Sequence, residues 1–201
     1  MSGIVKISLG AAICVGVFLI SLPTLVHKAG LHPDYSGPTV DLPGKRALII
    51  TTSHGVLAPV GETEGDPTGV AASEMTHPYY TFLDSGMDVD LASIEGGQIP
   101  IDPMTINRVI RTAEDERFLS DSIARSKAKH SIPIAEVDIT AYDIVFISGG
   151  WGASYDLAQS PVLGEKVSDA YYGDKAAIIG GVCHGVLGLV NARATDGSLI
   201  V

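Results

Sequence analysis

Positive charge is scarce in this chain of 201 residues: 13 Lys and Arg stand against 23 Asp and Glu, a net charge of −10 at pH 7. Nucleic-acid wrapping and adhesion to anionic lipid both need a positive surface, and no basic patch is visible, so both are disfavoured. Cysteine is scarcer still, with only Cys14 and Cys183. Cys14 lies in an apolar stretch that is not expected to share a compartment with Cys183, which argues against a disulfide framework. No His, Cys and carboxylate set has metal-ligand spacing, and no Gly-x-x-x-x-Gly-Lys phosphate loop occurs. Cofactor-free chemistry, with neither metal nor bound cofactor, is the simplest expectation. Internal repeats and low-complexity tracts are also missing. What remains, 46% hydrophobic residues, suffices for one domain with its own core.

Charge is absent altogether from residues 7–26, between Lys6 and Lys28. That length matches the about 20 apolar residues a bilayer span requires, and an uncleaved membrane anchor over residues 1–28 is expected. The competing account is a removable signal peptide, but the stretch is long for one and residues 21–26 offer no convincing small-x-small cleavage site. The short tail ahead of the span hints at a domain outside the cytoplasm, while the lysines on both sides leave orientation poorly determined. Cys14 within the span reads as an apolar residue. Glycines and prolines over residues 29–45 discourage helix and sheet and read as a tether.

The domain is expected over residues 46–201. Strands are predicted at 46–53, 88–93, 142–147 and 176–179 from their β-prone apolar runs. Helices are predicted at 69–77, capped by Thr68 or a neighbour and bent or restarted at Pro78, and at 161–172. Gly86 is a stop signal. Residues 104–130 read as mostly helical, with Glu114, Asp115, Glu116 and Arg117 as a solvated face. Alternating strands and helices imply a flavodoxin-like three-layer α/β sandwich around a mostly parallel sheet, with its ligand beyond the carboxyl ends of the strands. Residues 198–201 look like the opening of a further strand, and the carboxy-terminal part of the domain is expected to be missing.

The densest chemistry is Gly181-Val182-Cys183-His184-Gly185, directly after a predicted strand. Glycines on both sides allow a sharp turn that displays the thiol, a nucleophile elbow, and a following helix from His184 to Val190 would direct unpaired amides at a thiolate. The plain alternative is a small buried hydrophobe in an ordinary loop. Ser148-Gly149-Gly150-Trp151-Gly152 follows another strand, so amides of Gly150 and His184 could share one oxygen as an oxyanion hole. Alone, that loop is equally a tight turn with a core tryptophan. Glu74 sits on an otherwise apolar or small helix face; beside a thiolate it would keep its proton and donate to sulfur, but an exposed Glu74 fits as well. The side chain of His184 is a candidate acid or base, or the residue supplies only an amide. His77 reads as structural.

On four ordered blocks, Glu74-Met75-Thr76-His77-Pro78-Tyr79-Tyr80, residues 91–97 with 100–103, residues 148–152 and Val182-Cys183-His184-Gly185, the sequence resembles the ThiJ/PfpI superfamily of class I glutamine amidotransferase-like folds. The similarity covers most of residues 45–195 and is greatest to the heat-shock chaperone and glyoxalase III branch. The resemblance implies Cys183 as nucleophile, Glu74 as an acid bonded to its sulfur, His184 as catalytic histidine, and Gly150 and His184 as oxyanion donors. It also implies glutathione-independent conversion of methylglyoxal to lactate or a deglycase activity, and a homodimer. Family members continue through further strands and a helix, and carry there an acid that orients the histidine, whereas this chain stops soon after the elbow. The sequence leaves two other readings: a membrane-tethered redox-sensing chaperone in which Cys183 is oxidised, and an amide hydrolase.

Overall fold

A computed structural model describes residues 3–30 and 35–200; the calls on Met1, Ser2, Val201 and the tether residues 31–34 lie outside it. The amino-terminal helix α1 (Gly3–Lys28) includes a stretch, Gly10–Lys28, of mean hydropathy 1.9, none of which is buried within the fold. Residues 35–45 form neither helix nor strand, with a turn at Pro43 and Gly44. The end of this tether is docked, with Leu42 N–H donating to Ser85 O at 2.7 Å.

The elements that follow are β1 (Arg46–Thr51), a small hairpin of β2 (Val56–Leu57) and β3 (Asp66–Pro67), α2 (Ala72–Asp84), β4 (Asp88–Ser93), α3 (Ala113–Ser120), α4 (Ser122–Lys129), β5 (Ile132–Pro133), β6 (Ile144–Ile147), α5 (Ala153–Asp156), α6 (Pro161–Tyr172) and β7 (Ile178–Gly181). The central sheet has the order β5-β4-β1-β6-β7, and every pairing in it is parallel. Period-two alternation along β1 builds both cores. Leu48 and Ile50 pack with Val145, Ile147, Leu163 and Val167 on the α6 side, while Ala47 and Ile49 pack with Met75, Tyr79 and Leu91 on the α2 side. Each fully buried Leu or Ile contributes about 1.5–3 kcal/mol, so a continuous apolar strand needs covering on both faces. The three-layer α/β arrangement expected from the sequence is therefore present.

Several local expectations are corrected. Helix α2 begins at Ala72 and runs through Pro78 to Asp84 without restarting. Thr68 is not its cap: its hydroxyl donates to Asp102 Oδ2, and the Ala72 amide is taken instead by Thr105 Oγ1 at 2.9 Å. Residues 104–112 are turns, bends and irregular chain, and the helical part of that region is split where Asp121 caps α4. Asp115 is no solvated residue. It is fully buried, accepting from Thr76 Oγ1 at 2.6 Å and from the Thr112 N–H at 2.8 Å in a capping box that pins α3 to α2. The β2–β3 hairpin, β5 and α5 were not anticipated; they are too short to show a period. Leu199 makes an antiparallel bridge to Arg193.

Candidate active site

Strand β7 ends at Gly181, and at Cys183 the backbone enters the left-handed region with φ of +52°, the one non-glycine residue among those described to do so. That conformation costs a side-chain-bearing residue about 1–2 kcal/mol, and such strain collects at functional sites. Two hydrogen bonds hold the turn: Val182 N–H donates to Ile147 O at 3.1 Å, and Gly185 N–H to Val182 O at 2.8 Å. Gly185 is required by contact, since a Cβ there would meet Ile147 O at 2.2 Å. The thiol is exposed rather than entombed.

The segment beyond the turn is a short 3-10 helix, Cys183–Leu189, not the predicted α-helix from His184. Its glycines explain the difference. Residues three apart eclipse in a 3-10 helix, and Gly185 and Gly188 both press on Ile147, where Cβ atoms would lie 2.2 Å and 3.1 Å from its atoms. A turn this short and tight does not provide the α-helical amino terminus that the sequence reading invoked for the thiolate.

The nearest polar neighbour recorded for the sulfur is the adjacent imidazole, with Sγ and Nδ1 of His184 3.3 Å apart. Behind His184 stands Trp151, its ring centroid 5.0 Å from the imidazole and tilted by 38°. Trp151 is 55% exposed, which corrects the core-tryptophan alternative. Its contact with His184 was not foreseen; both residues follow strand ends, but only the pairing of β6 with β7 makes those ends neighbours.

Helix α2 brings Glu74 to the same place. Its Oε2 accepts from the Gly149 N–H at 3.0 Å, and its main-chain O accepts from Ser148 Oγ at 2.8 Å. Among the described residues its carboxyl is thus bonded to Gly149, not to the cysteine sulfur as the resemblance implied. The carboxyl and the backbone that flanks Cys183 are nonetheless neighbours across Gly149. A Cβ at Gly149 would lie 2.6 Å from Glu74 Oε2 and 2.8 Å from both His184 N and Val182 O, so glycine alone lets the helix, the loop and the elbow meet.

Gly150 has φ of +92° and sits against the Gly69–Ala71 backbone, where a Cβ would be 2.4 Å from Gly69 O. Its amide and that of His184 carry no intramolecular hydrogen bond among the described residues. Two free amides on facing turns can stabilise a developing oxyanion. The loop after β1 closes this end of the sheet: Asp156 accepts from Ser53 N–H at 2.7 Å and Thr52 Oγ1 at 2.8 Å, and burial raises the pKa of its carboxyl against those bonds. His77, read as structural, pairs with Glu114 at 3.0 Å.

A cavity of about 270 Å3 opens beside the elbow, lined by Ser73, Glu74, His77, Pro78, Phe146 and Val182. A larger one, about 530 Å3, lies along α4 at the opposite edge of the sheet and is lined by no cysteine. The chemistry, and not the volume, locates the candidate site. Among the described residues no group of three His, Cys, Asp or Glu could hold a metal ion.

Residues 67–200 match the DJ-1/PfpI family. The chain is 29% identical over 144 residues to a glutathione-independent glyoxalase of Saccharomyces cerevisiae, covering 70% of this chain and 58% of that protein. It is 33% identical over 157 residues to a probable glutathione-independent glyoxalase of the same yeast, covering 75% and 63%. Among solved structures, glyoxalase III of Candida albicans superposes with a TM-score of 0.67 at 25% identity, over 78% of this chain and 64% of that one. A rapid encystment protein of Francisella tularensis gives a TM-score of 0.69 at 35% identity, over 78% and 66%. This chain therefore spans about three-fifths of the length of these curated yeast relatives.

Proposed function

Since this chain belongs to the DJ-1/PfpI family, we propose that it converts a small 2-oxoaldehyde such as methylglyoxal to the 2-hydroxy acid without glutathione, using Cys183 as nucleophile. The observation that carries the reading is the strained, exposed Cys183 with the His184 imidazole 3.3 Å from its sulfur. The yeast relatives named glutathione-independent glyoxalases support the substrate class.

In this scheme the thiolate adds to the aldehyde carbon, and the resulting oxyanion is met by the Gly150 and His184 amides. The hemithioacetal carbon then loses its hydrogen as a proton to His184 or Glu74, and the neighbouring carbonyl oxygen gains one, giving an enediol. A proton returns to the second carbon while the hydroxyl on the sulfur-bearing carbon gives up its own, leaving a 2-hydroxyacyl thioester. Water cleaves it, releasing the acid and the thiol. One carbon is oxidised as its neighbour is reduced, so no external oxidant enters, and a proton carrier beside a thiolate suffices.

Residues 7–26 are proposed to anchor the domain in a membrane, supported by the length and apolar composition of helix α1. The test of the enzymatic reading is glutathione-independent loss of methylglyoxal by the full chain and by Cys183→Ala. A loss of turnover in the variant is expected; equal rates would remove the nucleophile from the reaction.

A further inference from the structure

In an α-helix the carbonyl of residue 74 receives the N–H of residue 78, but residue 78 of α2 is proline and has none to give. A carbonyl left open inside a protein must be paired, or it costs about 1–3 kcal/mol. Here the partner comes from outside the helix. The fully buried hydroxyl of Ser148, one residue beyond β6, donates to Glu74 O at 2.8 Å. The Ser148 amide is itself fixed to Ile50 O at 2.9 Å, which makes the donor an extension of the sheet. The next residue, Gly149, donates its N–H to Glu74 Oε2 at 3.0 Å. Consecutive residues of one strand end therefore hold both the main-chain and the side-chain oxygen of Glu74. That same strand end faces the Cys183 turn through the space a Gly149 side chain would fill.

We infer that Ser148 is a positioning residue: through the carbonyl that Pro78 leaves open, it sets the place of the Glu74 carboxyl relative to Cys183. The inference rests on the proposed role of Glu74 beside the nucleophile. Filling an unpaired carbonyl would be a matter of stability alone; setting the carboxyl is a matter of rate, and the two separate experimentally. In Pro78→Ala the helix regains an N–H that can take Glu74 O itself. The double variant Ser148→Ala/Pro78→Ala thus pairs the carbonyl within α2 while cutting the tie to the sheet.

The experiment compares the full-length wild type, both single variants and the double variant by Tm, by kcat and KM for methylglyoxal, and by the rate at which iodoacetamide alkylates Cys183, read on the Cys183 peptide by mass spectrometry. Ser148→Ala is expected to lower Tm and kcat. In the double variant Tm returns toward that of Pro78→Ala, while kcat stays down by about ten-fold with KM little changed, as a displaced catalytic group requires. The Cys183 alkylation rate also stays several-fold away from the wild-type value. Recovery of kcat and alkylation together with Tm overturns the inference, because Ser148 then only satisfies a carbonyl. Wild-type alkylation in folded Ser148→Ala overturns it too. Should the wild type not consume methylglyoxal, the proposed function fails on its own, and the alkylation rates still decide the role of Ser148.

Discussion

Cys183 Sγ and His184 Nδ1 lie 3.3 Å apart although their residues are consecutive, and the backbone at Cys183 is in the left-handed region. The fold tolerates strain at the turn where the Cys183 thiol is displayed. Replacing Cys183 with glycine removes the side chain that makes the conformation costly, against a larger entropy loss for glycine on folding. Cys183→Gly is therefore expected to be more stable than Cys183→Ala by about 0.5–1 kcal/mol, with both variants inactive toward methylglyoxal. Urea unfolding curves check the stability order. A glycine variant less stable than the alanine one would show that the turn is unstrained.

Gly149→Ala is expected to do the opposite, harming the site and the fold together. The new methyl group meets Glu74 Oε2 at 2.6 Å and two main-chain atoms at 2.8 Å. The carboxyl can swing away, but the elbow backbone must move, at a cost of about 1–3 kcal/mol. Tm should fall by several degrees and Cys183 alkylation should change, whereas alanine at Gly97, where a Cβ meets nothing but φ is +76°, should cost only backbone strain.

How much of this was legible beforehand follows from which forces act locally. The β4 and α6 boundaries and the start of β1 could be read because buried strands and a Pro-initiated helix write their periods and caps into adjacent residues, whereas β1 ends at Thr51, two residues short of the expected strand. The elbow could be read for the same reason: the glycines that permit it flank Cys183 in sequence. Pairings across the fold left no such trace. The burial of Asp115 depends on Thr76 of another helix, and the tilted contact of Trp151 with His184 depends on strand order. The 3-10 form of Cys183–Leu189 is set by contact with Ile147, which a local pattern does not reveal. Pro78 was the one overlooked clue available: a proline four residues after a candidate acid announces a free carbonyl at that acid.

Trp151 is the only tryptophan in the chain, which makes emission a direct report on the site. Alkylating Cys183 should change that emission through His184, and the change should vanish in Cys183→Ala. An aromatic contact of this kind contributes about 1 kcal/mol, so its loss in Trp151→Ala should lower kcat/KM by about five-fold, while Trp151→Phe retains most of it. Because Trp151 is largely exposed, Tm should barely move. An emission spectrum indifferent to Cys183 alkylation would separate the indole from the reacting groups.

Acid stability should be governed in part at the other end of the sheet. Asp143 accepts from the Arg46 N–H at 2.9 Å and pairs with Lys175 at 3.0 Å and Lys45 at 3.1 Å. The Arg46 hydrogen bond first, and then the two lysines, lower its pKa from 3.8 to about 2. A carboxyl whose pKa is depressed on folding stabilises the native state above its unfolded value, and that contribution is lost as pH falls from about 4 through 2. Both lysines are about half exposed, so solvent screening reduces the effect to about 1 kcal/mol. Asp143→Asn is thus expected to be less stable by that amount at pH 7, with the gap closing between pH 4 and pH 2. Methylglyoxal turnover should be unchanged, since Cys183 lies beyond the carboxyl end of β7 and Asp143 precedes the start of β6. Denaturant titrations over that pH range decide it: a difference that persists undiminished at pH 2 would mean that packing, not charge, is what Asp143 contributes.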